Sequence, residues 1–244
     1  MKIAAPSIPI IAFSIYGYVC TLLCIVYYNR TVNFSMEKNT NSRLEAFCDG
    51  VFAIALTLLI IDIKLPSSSV IKSDADVWLA LRQILPSVFT FVLSFAIILI
   101  TWVNHHGALK QVHKSSPSFI YANGFLLLTV VFIPFPTALM GESLFTNYAA
   151  PAVVLYIGVI VLQSIGWIFI FRAAIQNELT VDDRATAVMR KNMRMGYYTA
   201  ATYSVCAIMA FWYPMVFAIL ITLLWGFWLV YGIRVKNVAH VTTV

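Results

Sequence analysis

Apolar runs of membrane-spanning length recur along this chain, and nothing constrains its fold more. They lie at about 8 to 28, 47 to 65, 84 to 104, 119 to 140 and 149 to 173, followed by one long stretch from 197 to 233. A helix rises 1.5 Å per residue, so about 20 residues cross the ~30 Å of hydrocarbon in a bilayer. The last stretch is too long for one crossing. Tyr213-Pro214 interrupts it, and a proline removes a helical N–H and restricts the residue before it. The stretch therefore reads as two helices, 195 to 212 and 214 to 233, which makes seven candidate spans. Little polar surface remains, since 61 % of the 244 residues are hydrophobic, 11 % are charged and the mean hydropathy is +0.87. An ordinary soluble globule is excluded. The expected fold is an all-α polytopic membrane protein with a six-helix core and a possible extra N-terminal helix.

The charges report topology. If helix 47–65 starts in the cytoplasm, 12 of the 16 Lys and Arg residues fall on the cytoplasmic side, against Lys2, Lys64, Lys72 and Arg82 opposite. That excess predicts a cytoplasmic C-terminus. The net charge of +6 is spread between apolar segments, without a basic patch interleaved with aromatics, so nucleic acid is not an expected partner. Cys20, Cys24, Cys48 and Cys206 make no CxxC pair, so no zinc site is indicated.

Residues 1–35 are read either as an additional transmembrane helix or as a hydrophobic extension, with residues 36–238 as the six-helix subunit. Met36 opens a polar MEKNTNSRLEAF that would serve as an N-terminus by itself, and cleavage of a signal peptide after residue 28 would reverse the charge count. Gln176 to Arg194 is polar and reads as a solvated connection with an amphipathic helix, a ligand-sensing loop being the alternative. Residues 66–78 are expected as a loop on the other side.

Two constellations stand out. In RLEAFCDGVFAIALTLLIIDIKLP, counting 100° per residue puts Phe47, Gly50, Ile54, Thr57, Leu58 and Ile61 on one stripe, with Asp49 about 140° from Ile54. The helix thus offers an apolar stripe with one hydroxyl to a neighbour or a lumen, and an acid to something else; packing into a bundle core would explain the stripe equally. The third span closes on Thr101, Trp102, Asn104, His105 and His106. Adjacent histidines point in different directions and no acid stands at ligand spacing, which favours hydrogen bonding over a metal site. A buried Asp49 needs partners, and Arg43, Trp102, Asn104 and His105 are donors expected at the same depth.

These residues carry a resemblance. Arg43, Phe47, Asp49 and Gly50 with FAIALTLL behind them, WVNHH at 102–106, and FIPFPTALMGE at 132–142 resemble the prokaryotic branch of the transmembrane-protein-175 potassium channels, whose signature is Arg-x-x-x-Phe-Ser-Asp. The resemblance covers about residues 40–235, and Cys48 stands where the family has Ser. It implies a potassium-permeable cation channel in a prokaryotic plasma membrane: a homotetramer whose first core helix, 47–65, lines a central pore. It also implies a hydrophobic constriction at Ile54, Leu58 and Ile61 with a hydroxyl layer at Thr57, and a polar network of Arg43, Asp49, Trp102 and His105 holding the pore helix, to which the depth argument adds Asn104. The implied partners are other copies of the chain and the lipid bilayer; no cofactor is implied, only potassium ions as the permeant species. Such a chain needs no repeated filter loop, because an apolar neck can gate by dewetting.

Two other classes of function fit the sequence less well. A secondary or proton-coupled transporter calls for a broken helix and a midplane charge, whereas Asp62 and Glu142 lie near span ends and Pro134 and Pro136 kink the fourth span without supplying a charge. An intramembrane enzyme using His105 and His106 lacks a nucleophile or acid at their depth.

Overall fold

The computed structural model describes residues 41–64 and 71–226. The span at 8 to 28 lies outside the described residues, and with it the choice between a helix and an extension, as do residues 65–70 and the last span beyond Gly226. Every regular element among the described residues is helical. In chain order these are α1 (Ser42–Leu58), continued by a 3-10 turn (Leu59–Asp62), α2 (Asp74–Gln83), α3 (Leu85–Leu109), α4 (Pro117–Phe132), α5 (Pro134–Ser143), α6 (Ala149–Gln176), α7 (Asp183–Met209) and α8 (Pro214–Gly226). Four segments, Ser42–Asp62, Leu85–Leu109, Pro117–Ser143 and Ala149–Gln176, are long and apolar enough to cross a membrane.

The boundaries follow local chemistry. Ser73, Ser116 and Asp182 each accept a hydrogen bond from the backbone N–H three residues on and so cap α2, α4 and α7. Pro134 has no N–H to continue the ladder, so α4 stops and α5 resumes along the same path through Ile133, which keeps a helical backbone. Two expectations are corrected. The polar stretch 176–194 contains the helix expected of it, but that helix is continuous with the following span: the turn is confined to residues 177–182, and α7 begins at Asp183 rather than near 195. The expected loop at 66–78 gives way from Asp74 to helix α2.

α1 packs against α3 and α4, whereas α6 sits among α4, α5 and α7. The main core joins Phe52 of α1 and Leu59 of the 3-10 turn to Ile97 and Ile98 of α3, Val130 of α4, Met140 of α5 and Ile157 of α6. Close approach is a matter of missing side chains: a Cβ on Gly141 would lie 2.8 Å from the Ser87 Cα, and one on Gly196 would lie 2.8 Å from the Ile168 Cγ1. In the middle of the bundle the Ser94 hydroxyl lies 2.7 Å from that of Thr137 and 2.8 Å from that of Tyr156, all three buried. Pairing of this kind is how a bundle interior carries hydroxyls without an unmet hydrogen bond.

At the Asn41 end the two turns are laced together. His113 N–H donates to Leu179 O and Val181 N–H to Gln111 O, each at 3.0 Å, forming an antiparallel bridge between Val112 and Thr180. Asn41 adds its side-chain N–H to Val112 O at 3.0 Å. The entrance of α1 is thereby tied to the turn between α6 and α7.

Candidate functional site

The candidate site is α1, whose two faces have different fates. Cys48, Phe52, Ala55 and Leu59, spaced four, three and four apart, are buried against the bundle. The stripe singled out in the sequence faces away from it. Phe47 is 62 % exposed, Ile54 58 %, Leu58 37 % and Ile61 65 %, and Gly50 and Thr57 are exposed with them. The Thr57 hydroxyl donates back to Ile54 O at 2.8 Å, leaving its oxygen lone pairs outward. The 3-10 turn keeps the stripe straight: at about 120° per residue beyond Leu59, Ile61 falls within about 20° of both Ile54 and Leu58. Leu56 lies on another flank, partly buried against the main core.

The polar flank of α1 is anchored to α3 by a two-rung ladder. Trp102 donates its indole N–H to Asp49 Oδ1 at 2.8 Å. One turn nearer the Asn41 end, His106 Nδ1 lies 3.0 Å from Glu45 Oε1 without hydrogen-bond alignment, a rung that becomes an ion pair when the imidazole is protonated. Glu45 and Asp49 are four apart on α1, and Trp102 and His106 are four apart on antiparallel α3, so both rungs share one register. The Trp102 and His106 rings stack at 6.3 Å.

The other residues expected in the network are arranged differently. His105 is buried and directs Nε2 to Asn123 Oδ1 at 2.8 Å, not to Asp49. Asn123 donates its own amide to Phe119 O at 2.7 Å, which makes Oδ1 the acceptor and puts the proton on His105 Nε2. The imidazole lies between Phe52 at 5.4 Å and Trp167 at 6.2 Å, linking α1 to α6 through α3. Asn104 places its amide oxygen in the interior without a partner. Arg43 is exposed and enters no ion pair among the described residues. Glu45, Asn123 and Trp167 are the members that reading the sequence missed. The i, i+4 spacing of Glu45 to Asp49 was the available signal for the first; the other two sit inside apolar runs that advertise only burial. No group of three or more metal-ligating side chains occurs among the described residues.

Known proteins resemble this chain. Residues 43–134, which hold both faces of α1 and its anchor on α3, match the family model described as endosomal/lysosomal potassium channel TMEM175. A potassium channel of a Chryseobacterium species is 30 % identical over 189 residues, 76 % of this chain and 92 % of that one. The chain belongs to the TMEM175 family. A potassium channel of Chamaesiphon minutus is 44 % identical over 123 residues, half of this chain; the match spans 60 % of that relative's length, and 50 % of the length of a Streptomyces collinus potassium channel. The solved structure of a lysosomal potassium-selective channel TMEM175 homolog from Chamaesiphon minutus superposes with a TM-score of 0.63 at 31 % identity, covering 82 % of this chain and 97 % of that one. TMEM175 membership makes the chain part of an ion-channel family rather than an enzyme family, and it agrees with the four apolar segments of spanning length.

Proposed function

We propose that this TMEM175 chain forms a potassium-permeable cation channel, a homotetramer whose central pore is lined by the exposed stripe of α1 and gated at Ile54, Leu58 and Ile61, with Thr57 as a hydroxyl layer. The observation that carries the reading is the two-faced α1. One face is packed, the polar flank is tied to Trp102 and His106, and the apolar stripe covers nothing among the described residues. The potassium-channel relatives support the choice of ion. Four such stripes around an axis make a neck too apolar to replace an ion's hydration shell, so it dewets when narrow and passes partly hydrated ions when widened. The carboxylates of α1, Glu45 and Asp49, hold the neck without lining it. The subunit is residues 36–238, with 1–35 as an extension or extra helix. It sits in a prokaryotic plasma membrane with the Asn41 end and the C-terminus in the cytoplasm, where the excess of Lys and Arg lies.

Two measurements test this. Cross-linking of the full chain in mild detergent gives a ladder ending at four copies. Reconstitution into a planar bilayer gives unitary current steps whose reversal potential follows the potassium gradient. A ladder ending at two, or flux without unitary steps, overturns the pore.

A further inference from the structure

The outward stripe of α7 changes character along its length. It begins with Arg190 and Arg194, passes through Tyr197 and Tyr198, and continues into Val205 and Ile208, all of them exposed. A cationic, then aromatic, then apolar progression is the profile of a helix edge crossing from headgroups into acyl chains. A third arginine joins from the neighbouring helix. The tight seat of Gly196 on Ile168 fixes the register of antiparallel α6 and α7. Measured from that contact toward the turn, Arg194 lies about 3 Å away, Arg172 about 6 Å and Arg190 about 9 Å along the helix axes. Helical phase puts Arg172 on the same side of the pair as Arg190 and Tyr197.

Among the described residues none of the three arginines is held in an ion pair. The nearby acids are set further out, Glu178 and Asp182 in the turn and Asp183 at the first position of α7, seven residues or about 10 Å before Arg190, and Asp182 is occupied in capping α7 through Ala185 N at 2.6 Å. Three guanidinium groups within about 6 Å of one another in depth, with aromatic rings beneath them and an apolar strip below, complement an anionic headgroup carrying its own acyl chains. A guanidinium fork can take two phosphate oxygens at once.

We propose that Arg172, Arg190 and Arg194 form a binding site for the phosphate of an anionic phospholipid, with Tyr197 and Tyr198 at the glycerol level and an acyl chain lying along Val205 and Ile208. The site is on α6 and α7, whereas the main partners of α1 are α3 and α4, and occupancy does not depend on conduction, so its failure and a failure of the channel reading are separately visible.

The test is lipid retention by the purified full chain. The chain is equilibrated with mixed micelles of equal phosphatidylglycerol and phosphatidylcholine, and bound lipid is read by native mass spectrometry. The parent retains phosphatidylglycerol in preference to phosphatidylcholine. Each Arg→Gln change at 172, 190 or 194 lowers that preference about fivefold, and Arg194→Lys, which keeps the charge but loses the fork, lowers it less. Arg82→Gln on α2 leaves it unchanged. Equal retention of the two lipids by the parent, an unchanged preference in the Gln variants, or displacement of the lipid by inorganic phosphate, which would make this a soluble-anion site, each overturns the proposal. If a triple variant does not fold, the single variants carry the same comparison.

Discussion

Trp102 and Asp49 are joined by a 2.8 Å hydrogen bond from indole to carboxylate, and this bond fixes which way the exposed stripe of α1 faces. Removing the donor with Trp102→Phe leaves a half-buried carboxylate short of a partner. The expected loss is about 1–2 kcal/mol, between the ~0.6 typical of interhelical bonds in lipid and the ~3 reached by bonds to charged groups. Asp49→Ala should lower folding yield in the same way, whereas Asp62→Ala, at the outer end of α1, should not. Thermal unfolding of the three variants in detergent checks this; equal tolerance of Asp49→Ala and Asp62→Ala would show that the rung does not hold the helix.

Ile54→Asn should raise basal current and weaken discrimination between potassium and sodium, because four amides in the neck would offer oxygens in place of lost water. Leu56→Asn, about 200° away and partly buried on the core, should disturb packing without opening a path. Recordings at matched expression decide the matter: a larger leak from Leu56→Asn would take the stripe out of the pore.

Ser94→Ala and Tyr156→Phe should differ although each removes one oxygen. Tyr156→Phe leaves Ser94 with Thr137, and its cost should stay below about 1 kcal/mol. Ser94→Ala orphans the buried Tyr156 hydroxyl, while Thr137 keeps its bond to Ile133 O at 2.7 Å, so the cost rises to about 1–3 kcal/mol. Unfolding midpoints should rank parent, Tyr156→Phe, then Ser94→Ala.

The start of α2 should respond to acid. The Lys72 N–H and then the Ser73 hydroxyl bond to the Asp76 carboxylate and hold its pKa below the ordinary value. A depressed carboxylate contributes stability above its unfolded pKa of about 3.9, and that contribution disappears as pH falls through the lower folded value. Amide exchange over Asp74–Gln83, corrected for intrinsic rates, should be flat at neutral pH and quicken in that acid window. Asp76→Asn should remove the response.

How far the sequence reaches depends on the kind of signal. Continuous apolar runs place α1, α3, the α4–α5 path and α6, because hydrocarbon imposes one length on every crossing. The early start of α7 escapes a hydropathy reading, since its first three turns are polar overall. Yet Ala185, Met189, Asn192, Gly196, Thr199 and Tyr203 recur at four, three, four, three and four, a packing seam that periodicity reveals and average hydropathy hides. Depth alone brings Asp49 to Trp102, because few donors share its level. It could not choose Asn123 for His105: that pairing depends on how α4 is rotated against α3, which no local pattern encodes.

The lacing at the Asn41 end makes α1 a cantilever. Asn41, Glu45 and Asp49 clamp its first turns to the rest of the bundle, and beyond Asp49 only the packed face restrains it. Deflection of a clamped beam grows with distance from the clamp. Ile54 lies about 8 Å beyond the last clamp and Ile61 about 19 Å, so a tilt that carries Ile61 sideways by one length unit carries Ile54 by less than half as much. At the far end the 3-10 turn still packs on α3 and α5, with Leu59 in the core, so the give of that packing sets how far Ile61 can move, and any displacement allowed there is geared down before it reaches Ile54.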